Sequence, residues 1–219
     1  MQPLVILGVG GFGREVHELV EDINQWVPTF DVLGFLDGNP DTHGSHIHGL
    51  PVLGYIEWLE RNPGTAVALG IGSPAAKARL VSEIRDVGAM FPTLVHPKAL
   101  VGRRTSIGEG TVICAGTIVT TDLSIGAFNT ININVTIGHD AKLGDFATVA
   151  PGVHISGHVE IGEGTDLGTG STIIQGITIG AWSVVGAGAS VVKPLPANVT
   201  AVGVPARVIK EREPGWQQS

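Results

Sequence analysis

Histidine is the side chain best suited to take up and release a proton near neutral pH, and three of them, His139, His154 and His158, fall in the second half of this 219-residue chain. His139 is followed directly by Asp140. A proton-abstracting base beside an acid is the arrangement that a reaction needs when an attacking amine or hydroxyl must lose its proton. His43, His46 and His48 stand in a Gly/Ser/Asp-rich stretch that reads as a connector, and the spacing of the other three resembles no metal-binding pattern, so no metal is expected. Cys114 is the single cysteine. It has no disulfide partner and no sequence neighbour to activate a thiolate, and it reads as a small core residue.

The three histidines lie inside a repeat. Every sixth residue from Val95 to Val191 is Val, Ile or Leu, seventeen positions without an insertion. A helix face repeats near 3.6 and a flat strand at 2, so a strict six demands a backbone that turns after every short strand. Glycine often follows the apolar residue, as in Ile107-Gly108, Ile125-Gly126, Ile161-Gly162 and Ile179-Gly180, where it suits a tight corner. Four residues after each apolar position the side chain is usually small or β-branched, such as Thr111, Thr117, Ala141, Ala147, Thr165 and Ser171, which fits a narrow interior. Residues from about Val95 to Pro196 therefore read as one uninterrupted stack of short strands, a β-helix built from hexapeptide repeats. Its outward positions mix Asp, Glu, His, Lys and Asn in no regular order, unlike the Thr ladders of an ice-binding face.

The first ninety residues follow another pattern. The apolar run Pro3 to Val9 leads into Gly8, Gly10 and Gly13, spaced G-x-G-x-x-G, and Val16, Leu19, Val20 and Ile23 then recur at helical spacing. Further strands are expected at Asp31 to Asp37, near Leu50 to Leu53 and at Thr65 to Ile71. Ser73-Pro74 looks like the cap and first turn of a helix from Ala75 to Val87. A full dinucleotide domain needs two βαβαβ halves and this length supplies barely one, so a nucleotide-sugar site fits better. Asp37, closing the second strand, either accepts hydrogen bonds from a ribose or base or serves as a turn acid before Gly38.

The formal charge of −7 and the absence of a lysine/arginine block exclude a nucleic-acid partner. The N-terminus lacks an export signature and no apolar run approaches a membrane span, so a cytoplasmic protein with no membrane insertion is expected. Glycine is abundant, at 32 residues, while aromatics are only 5%, the bias of a thin, repeatedly turning unit.

The segment from Ile137 through His139 and Asp140 to Phe146 resembles the signature of the hexapeptide-repeat sugar O-/N-acyltransferases. The resemblance extends to Gly34-Phe35-Leu36-Asp37, Gly49 to Gly54, Ile71-Gly72-Ser73 and Val202 to Arg207. Within that family the chain is similar to the nucleotide-amino-sugar N-acetyltransferases and the sialic acid O-acetyltransferases of bacterial glycan pathways. The resemblance implies a small α/β domain with a short Rossmann-like parallel sheet, residues 1–93, that binds the nucleotide sugar, and an all-β left-handed parallel β-helix with a C-terminal tail, residues 94–219, that trimerises. It implies transfer of acetyl from acetyl-CoA to a sugar amine, with His139 as general base, Asp140 assisting it and no acyl-enzyme.

The same resemblance places CoA along Gly157, Gly168, Gly186, Ala187 and Gly188. Lys193, Arg207 and Lys210 lie nearest its phosphates, and an amide near Gly157 is the candidate oxyanion donor. The sugar is placed at Gly10, Gly11, Phe12, Asp37, Gly72, Ser73 and Asn132. Two positions depart from the pattern: Phe12 and Thr148 stand where relatives often carry histidine. The other readings are an O-acetyltransferase acting on a sugar or an amino acid, and a non-catalytic trimeric binding protein.

Overall fold

The structure is a computed structural model that describes residues 1–218. Its N-terminal part is built on three parallel strands, β1 (Gln2–Leu7), β2 (Phe30–Leu36) and β5 (Ala66–Leu69), with β1 in the middle. Helix α1 (Gly11–Trp26) follows β1 and buries Gly13, Val16, His17, Leu19 and Val20. Between β2 and β5 come β3 (His46–Ile47), β4 (Leu50–Pro51) and α2 (Ile56–Arg61). The strand expected near Leu50 to Leu53 is thus only a two-residue arm of an antiparallel ribbon, with one bridge from Val52 to Phe35 of the main sheet. Backbone bonds continue past Pro51, the Val52 amide donating to the Ser45 carbonyl at 2.8 Å and the Leu53 amide to the Phe35 carbonyl at 2.8 Å.

Helix α3 (Pro74–Arg85) begins where expected, its Ser73 hydroxyl accepting from the Ala76 amide at 3.4 Å. Its buried face is Pro74, Lys77, Val81 and Ile84. A lysine on that face is a feature that the expectation of a helix alone did not supply.

From β6 (Leu94–Val95) to β22 (Ser190–Val191), seventeen strands of two or three residues form a parallel β-solenoid with three faces. Each strand pairs with the one 18 residues on, as Ile118 pairs with Thr136 and Thr136 with His154. Outward residues therefore stack in columns. The first face carries Leu100, Ile118, Thr136, His154, Thr172 and Ser190. The second carries Ser106, Ser124, Lys142, Glu160 and Thr178. The third carries Leu94, Val112, Thr130, Thr148, Asp166 and Val184. It is extended at its end by the hairpin β23 (Val199–Val202) and β24 (Arg207–Glu211).

The hexad residues fill the interior, with Ile131, Ile137, Val149 and Leu167 wholly buried. Only Val95, Val101 and Ile107, in the first coil, are half-buried, because that end of the stack has one neighbouring coil instead of two. The second interior column, including Thr117, Ala141, Ala147 and Ser171, is also wholly buried. Several of its hydroxyls turn back on the backbone, as Thr117 Oγ1 does to the Asn132 carbonyl at 2.8 Å, which satisfies a group that would otherwise be costly to bury; those of Thr105 and Ser171 find no partner among the described residues.

Glycine after the apolar residue serves the corner as expected, because a Cβ there would clash with the next coil. It does not take positive φ; at Gly108 a Cβ would lie 2.5 Å from the Ala127 amide of the next coil. The left-handed residue comes two positions later and is frequently not glycine: Asp122, Asp140 and His158 adopt φ of 59°, 59° and 55°.

The α/β part covers the third face. Leu94, Val112 and Cys114 join a cluster with Leu4, Ile6 and Phe35. Burial pushes the Cys114 thiol up to about 12, with Glu15 adding to the effect, so no thiolate forms there near neutral pH. Polar ties cross the same seam. Thr148 Oγ1 donates to the Gly72 carbonyl at 2.6 Å, Lys77 Nζ donates to Thr130 Oγ1 at 3.0 Å and to the Ala147 carbonyl at 3.1 Å, and His96 meets Asp22 at 2.8 Å.

Candidate active site

His139 sits at the corner between the first and second faces, two residues past Ile137. Thr121 occupies the same place in the coil below and Gly157 in the coil above. A backbone ladder holds the corner: the Asp140 amide donates to the Thr121 carbonyl at 3.2 Å, the His158 amide to that of His139 at 2.8 Å, and the Gly176 amide to that of Gly157 at 3.0 Å. With Asp140 in the left-handed region, its carboxylate comes back toward the preceding side chain, and Asp140 Oδ2 lies 2.8 Å from His139 Nδ1. An ionised carboxylate can only accept. In the neutral imidazole, Nδ1 then donates to Asp140 and Nε2 is the nitrogen with the free lone pair.

That lone pair has a defined neighbour. A Cβ built on Gly157 would stand 2.6 Å from His139 Cε1 and 2.7 Å from Nε2. The imidazole occupies the space a side chain at 157 would need. The Gly157 amide makes no hydrogen bond among the described residues, so a basic nitrogen and an unspent N–H donor share one corner. The arrangement suits deprotonation of an attacking atom beside a developing oxyanion.

His158 completes the cluster. Its ring lies 5.0 Å from that of His139 at 87°, and its Nε2 is 3.6 Å from the same Asp140 Oδ2. No local motif around it assigns it a role in the sequence. The signal was the 18-residue coil, which stacks position 158 on position 140. His154, in contrast, stands on the first face with Nδ1 2.8 Å from Thr136 Oγ1, away from this corner. A depression of about 390 Å³ beside the cluster is lined by Asp122, Ser124, Asp140, Lys142, His158 and Glu160, among others.

The other candidates divide among three places. Lys193, two residues past the last first-face strand, crowns the His139 corner. Asn132, Gly168, Gly186, Ala187 and Gly188 lie at the corner between the third and first faces. There a Cβ at Gly168 would stand 2.6 Å from the Ala187 amide, and one at Gly186 2.7 Å from Val202 Cγ1. Asn132 Oδ1 accepts from the Ile133 amide at 2.7 Å. Arg207 and Lys210 belong to the exposed end strand β24.

The N-terminal candidates gather at the carboxyl ends of the three parallel strands, where open α/β sheets form their binding crevice. Gly8 takes φ of 106° after β1, and a Cβ at Gly13 would run into the Gly8 carbonyl oxygen. These two glycines let α1 close on the sheet, whereas Gly10 and Gly11 face open space. Phe12 is half-buried against the core cluster. Asp37 accepts from the Asn39 amide at 2.8 Å and the Val9 amide at 3.2 Å, and it lines a depression of about 410 Å³ with Gly8, Tyr55, Ile71 and Arg79. Burial and the bond to Glu83 push the Tyr55 hydroxyl up to about 12. Gly72 is bound to Thr148 and Ser73 caps α3.

Residues 3–84 match the family model described as the PglD N-terminal domain. Perosamine N-acetyltransferase from Caulobacter crescentus, solved as a histidine-to-asparagine variant in complex with CoA and GDP-perosamine, superposes with a TM-score of 0.89 at 31% identity, covering 96% of this chain and 98% of that one. This chain belongs to the sugar N-acetyltransferase family. The acetyltransferase domain of PglB from Neisseria gonorrhoeae FA1090, in complex with acetyl coenzyme A, gives a TM-score of 0.87 at 30% identity over 95% of this chain and 99% of that one. The UDP-N-acetylbacillosamine N-acetyltransferase of Bacillus subtilis (strain 168) is 34% identical over 118 residues, 52% of each chain, so the match spans about half the length of that curated relative. Among the described residues of this family member, no helix is long and apolar enough to cross a membrane.

Proposed function

We propose that the chain transfers an acetyl group from acetyl-CoA to the amine of a nucleotide-linked amino sugar in bacterial surface-glycan biosynthesis, by direct attack and with His139 as general base. The observation that carries the reading is the pairing of His139 Nδ1 with Asp140, which leaves Nε2 free beside the uncommitted Gly157 amide. Nε2 takes the proton from the attacking nitrogen, Asp140 stabilises the imidazolium that results, and the Gly157 N–H receives the oxyanion of the tetrahedral intermediate. Collapse expels the CoA thiolate. Cys114 is buried and protonated, which is consistent with a route that has no acyl-enzyme.

In this reading residues 1–93 hold the nucleotide sugar at Gly10, Gly11, Phe12, Asp37, Gly72 and Ser73, and residues 94–219 carry the acetyl transfer. The α/β part lies on the third face, whereas His139 stands at the corner between the other two. A trimer accounts for this separation: the His139 corner of one protomer meets the corner of Asn132, Gly168 and Gly186 to Gly188 on its neighbour, with CoA between them and Lys193 or Arg207 near its phosphates.

The test is incubation of the purified protein with acetyl-CoA and panels of UDP- and GDP-linked 4-amino sugars, hydroxylated sugars and amino acids, with the acetylated product identified by mass. Turnover confined to amines supports the reading. Turnover confined to hydroxyl acceptors, or none with any acceptor, overturns it.

A further inference from the structure

We propose that His139, Asp140 and His158 bind a divalent transition-metal ion of the zinc class, and that the bound ion reversibly inhibits the enzyme. One ligand atom from each of the three lies within 4.8 Å of the other two. Asp140 Oδ2 is common to both close approaches, 2.8 Å to His139 Nδ1 and 3.6 Å to His158 Nε2. Donors sharing a tetrahedral zinc at about 2.0–2.2 Å stand roughly 3.3–3.6 Å from one another, so rotation of three side chains that are 51%, 47% and 56% exposed suffices to close the set.

Two imidazoles and a carboxylate form a donor set that zinc takes readily, with water in the fourth position. The surroundings favour a cation. Asp122, Asp140 and Glu160 line the adjoining depression. Its lysine, Lys142, is engaged with Glu160 at 3.0 Å, and Arg104 with Asp122 at 3.3 Å. Among the described residues, the side-chain partners of Asp140 are the two imidazoles.

The inhibition follows from nitrogen chemistry. An ion on His139 Nε2 occupies the lone pair directly; an ion on Nδ1 forces the ring proton to Nε2, which then cannot accept another. Binding rests on the geometry alone, while its inhibitory consequence rests on His139 serving as the base.

The full chain is titrated with Zn²⁺ by calorimetry and with Co²⁺ by visible absorption, beside the variants His158→Asn and His158→Gly. Both residues suit the φ of 55° at this corner, and glycine holds the same place one coil on, at Gly176. The expected result is one ion per chain, with affinity reduced at least about tenfold in both variants. Acetylated product, followed by chromatography, should fall with added Zn²⁺ in the wild type and return with EDTA, while the ratio of rates with and without Zn²⁺ stays near one in the variants. Absence of a Co²⁺ band, or binding undiminished in both variants, overturns the site and leaves His139 as base untouched. Zinc bound in the wild type without loss of product formation overturns the inhibitory role and counts against His139 as base.

Discussion

The open corner of His139, Asp140 and His158 and the closed seam of Lys77, Thr130, Thr148 and Asp166 are both assembled by the 18-residue coil, yet they do opposite work. At the corner the stacked side chains are about half exposed and a ligand can reach them. On the third face the column is covered by the α/β part, and Lys77 is 1% exposed. Burial lowers the Lys77 amine to about 7, against a smaller opposing pull from Asp166, and the same burial raises Asp166. The repeat decides which residues stack; what covers the column decides whether they bind a ligand or fasten two parts of the chain together.

The sharpest way to break this contrast is His139→Ala, which should lower kcat for acetyl transfer by about 10²–10⁴-fold while leaving the thermal midpoint unchanged. A wild-type rate would remove the corner from the chemistry. In the seam, Lys77→Ala leaves a cavity and orphans the acceptors at Thr130 and Ala147, and should cost about 2–4 kcal/mol in urea unfolding. Lys77→Met keeps most of the volume without a charge to bury and should cost less; equal losses would mean that filling the space is not what matters. Gly157→Ala tests the corner more finely. The three atoms nearest its added Cβ all belong to the His139 ring, so kcat should fall by about 10²-fold from misplacement of the base, with the circular dichroism spectrum unchanged.

The seam also predicts a pH dependence. Between about pH 7 and the ordinary lysine value of 10.5 the unfolded chain holds a proton on Lys77 that the folded chain lacks. The contribution of this group to stability therefore rises with pH across that window, at no more than about 1.4 kcal/mol per pH unit, and is flat below it. Asp166 works in the opposite sense from lower pH, because its raised value makes the folded chain hold the extra proton. Unfolding titrations of wild type and Lys77→Met should differ by this rise; parallel curves would mean that the buried amine does not titrate. The smallest effect is expected for Thr148→Val, which removes one hydrogen bond to Gly72 and should cost about 1 kcal/mol.

The solenoid was legible because its period is strict and its interior narrow: a hexad with no insertion leaves the chain few other ways to bury Val, Ile and Leu. The glycine turn, α1 and α3 were legible from spacing and caps. The ribbon at Leu50–Pro51 and helix α2 were not, since both are too short to show a period. His139 and Asp140 came from a local motif. The place of His158 was present as arithmetic, but it becomes meaningful only once strands 18 residues apart are known to pair. Lys77 was hidden for another reason: lysine usually marks a solvent face, and only its i, i+4 and i+7 relation to Val81 and Ile84 hinted otherwise.

By itself, then, the sequence determined the hexad period and which residues face the interior, because a period of six is a property of the chain alone, whereas the 18-residue pairing that stacks them in columns is read from the structure. Only the tertiary structure decided which columns are open and which are sealed. That choice depends on where the α/β part docks, and docking is set by apolar surface contributed by residues far apart in the chain, which no local pattern encodes.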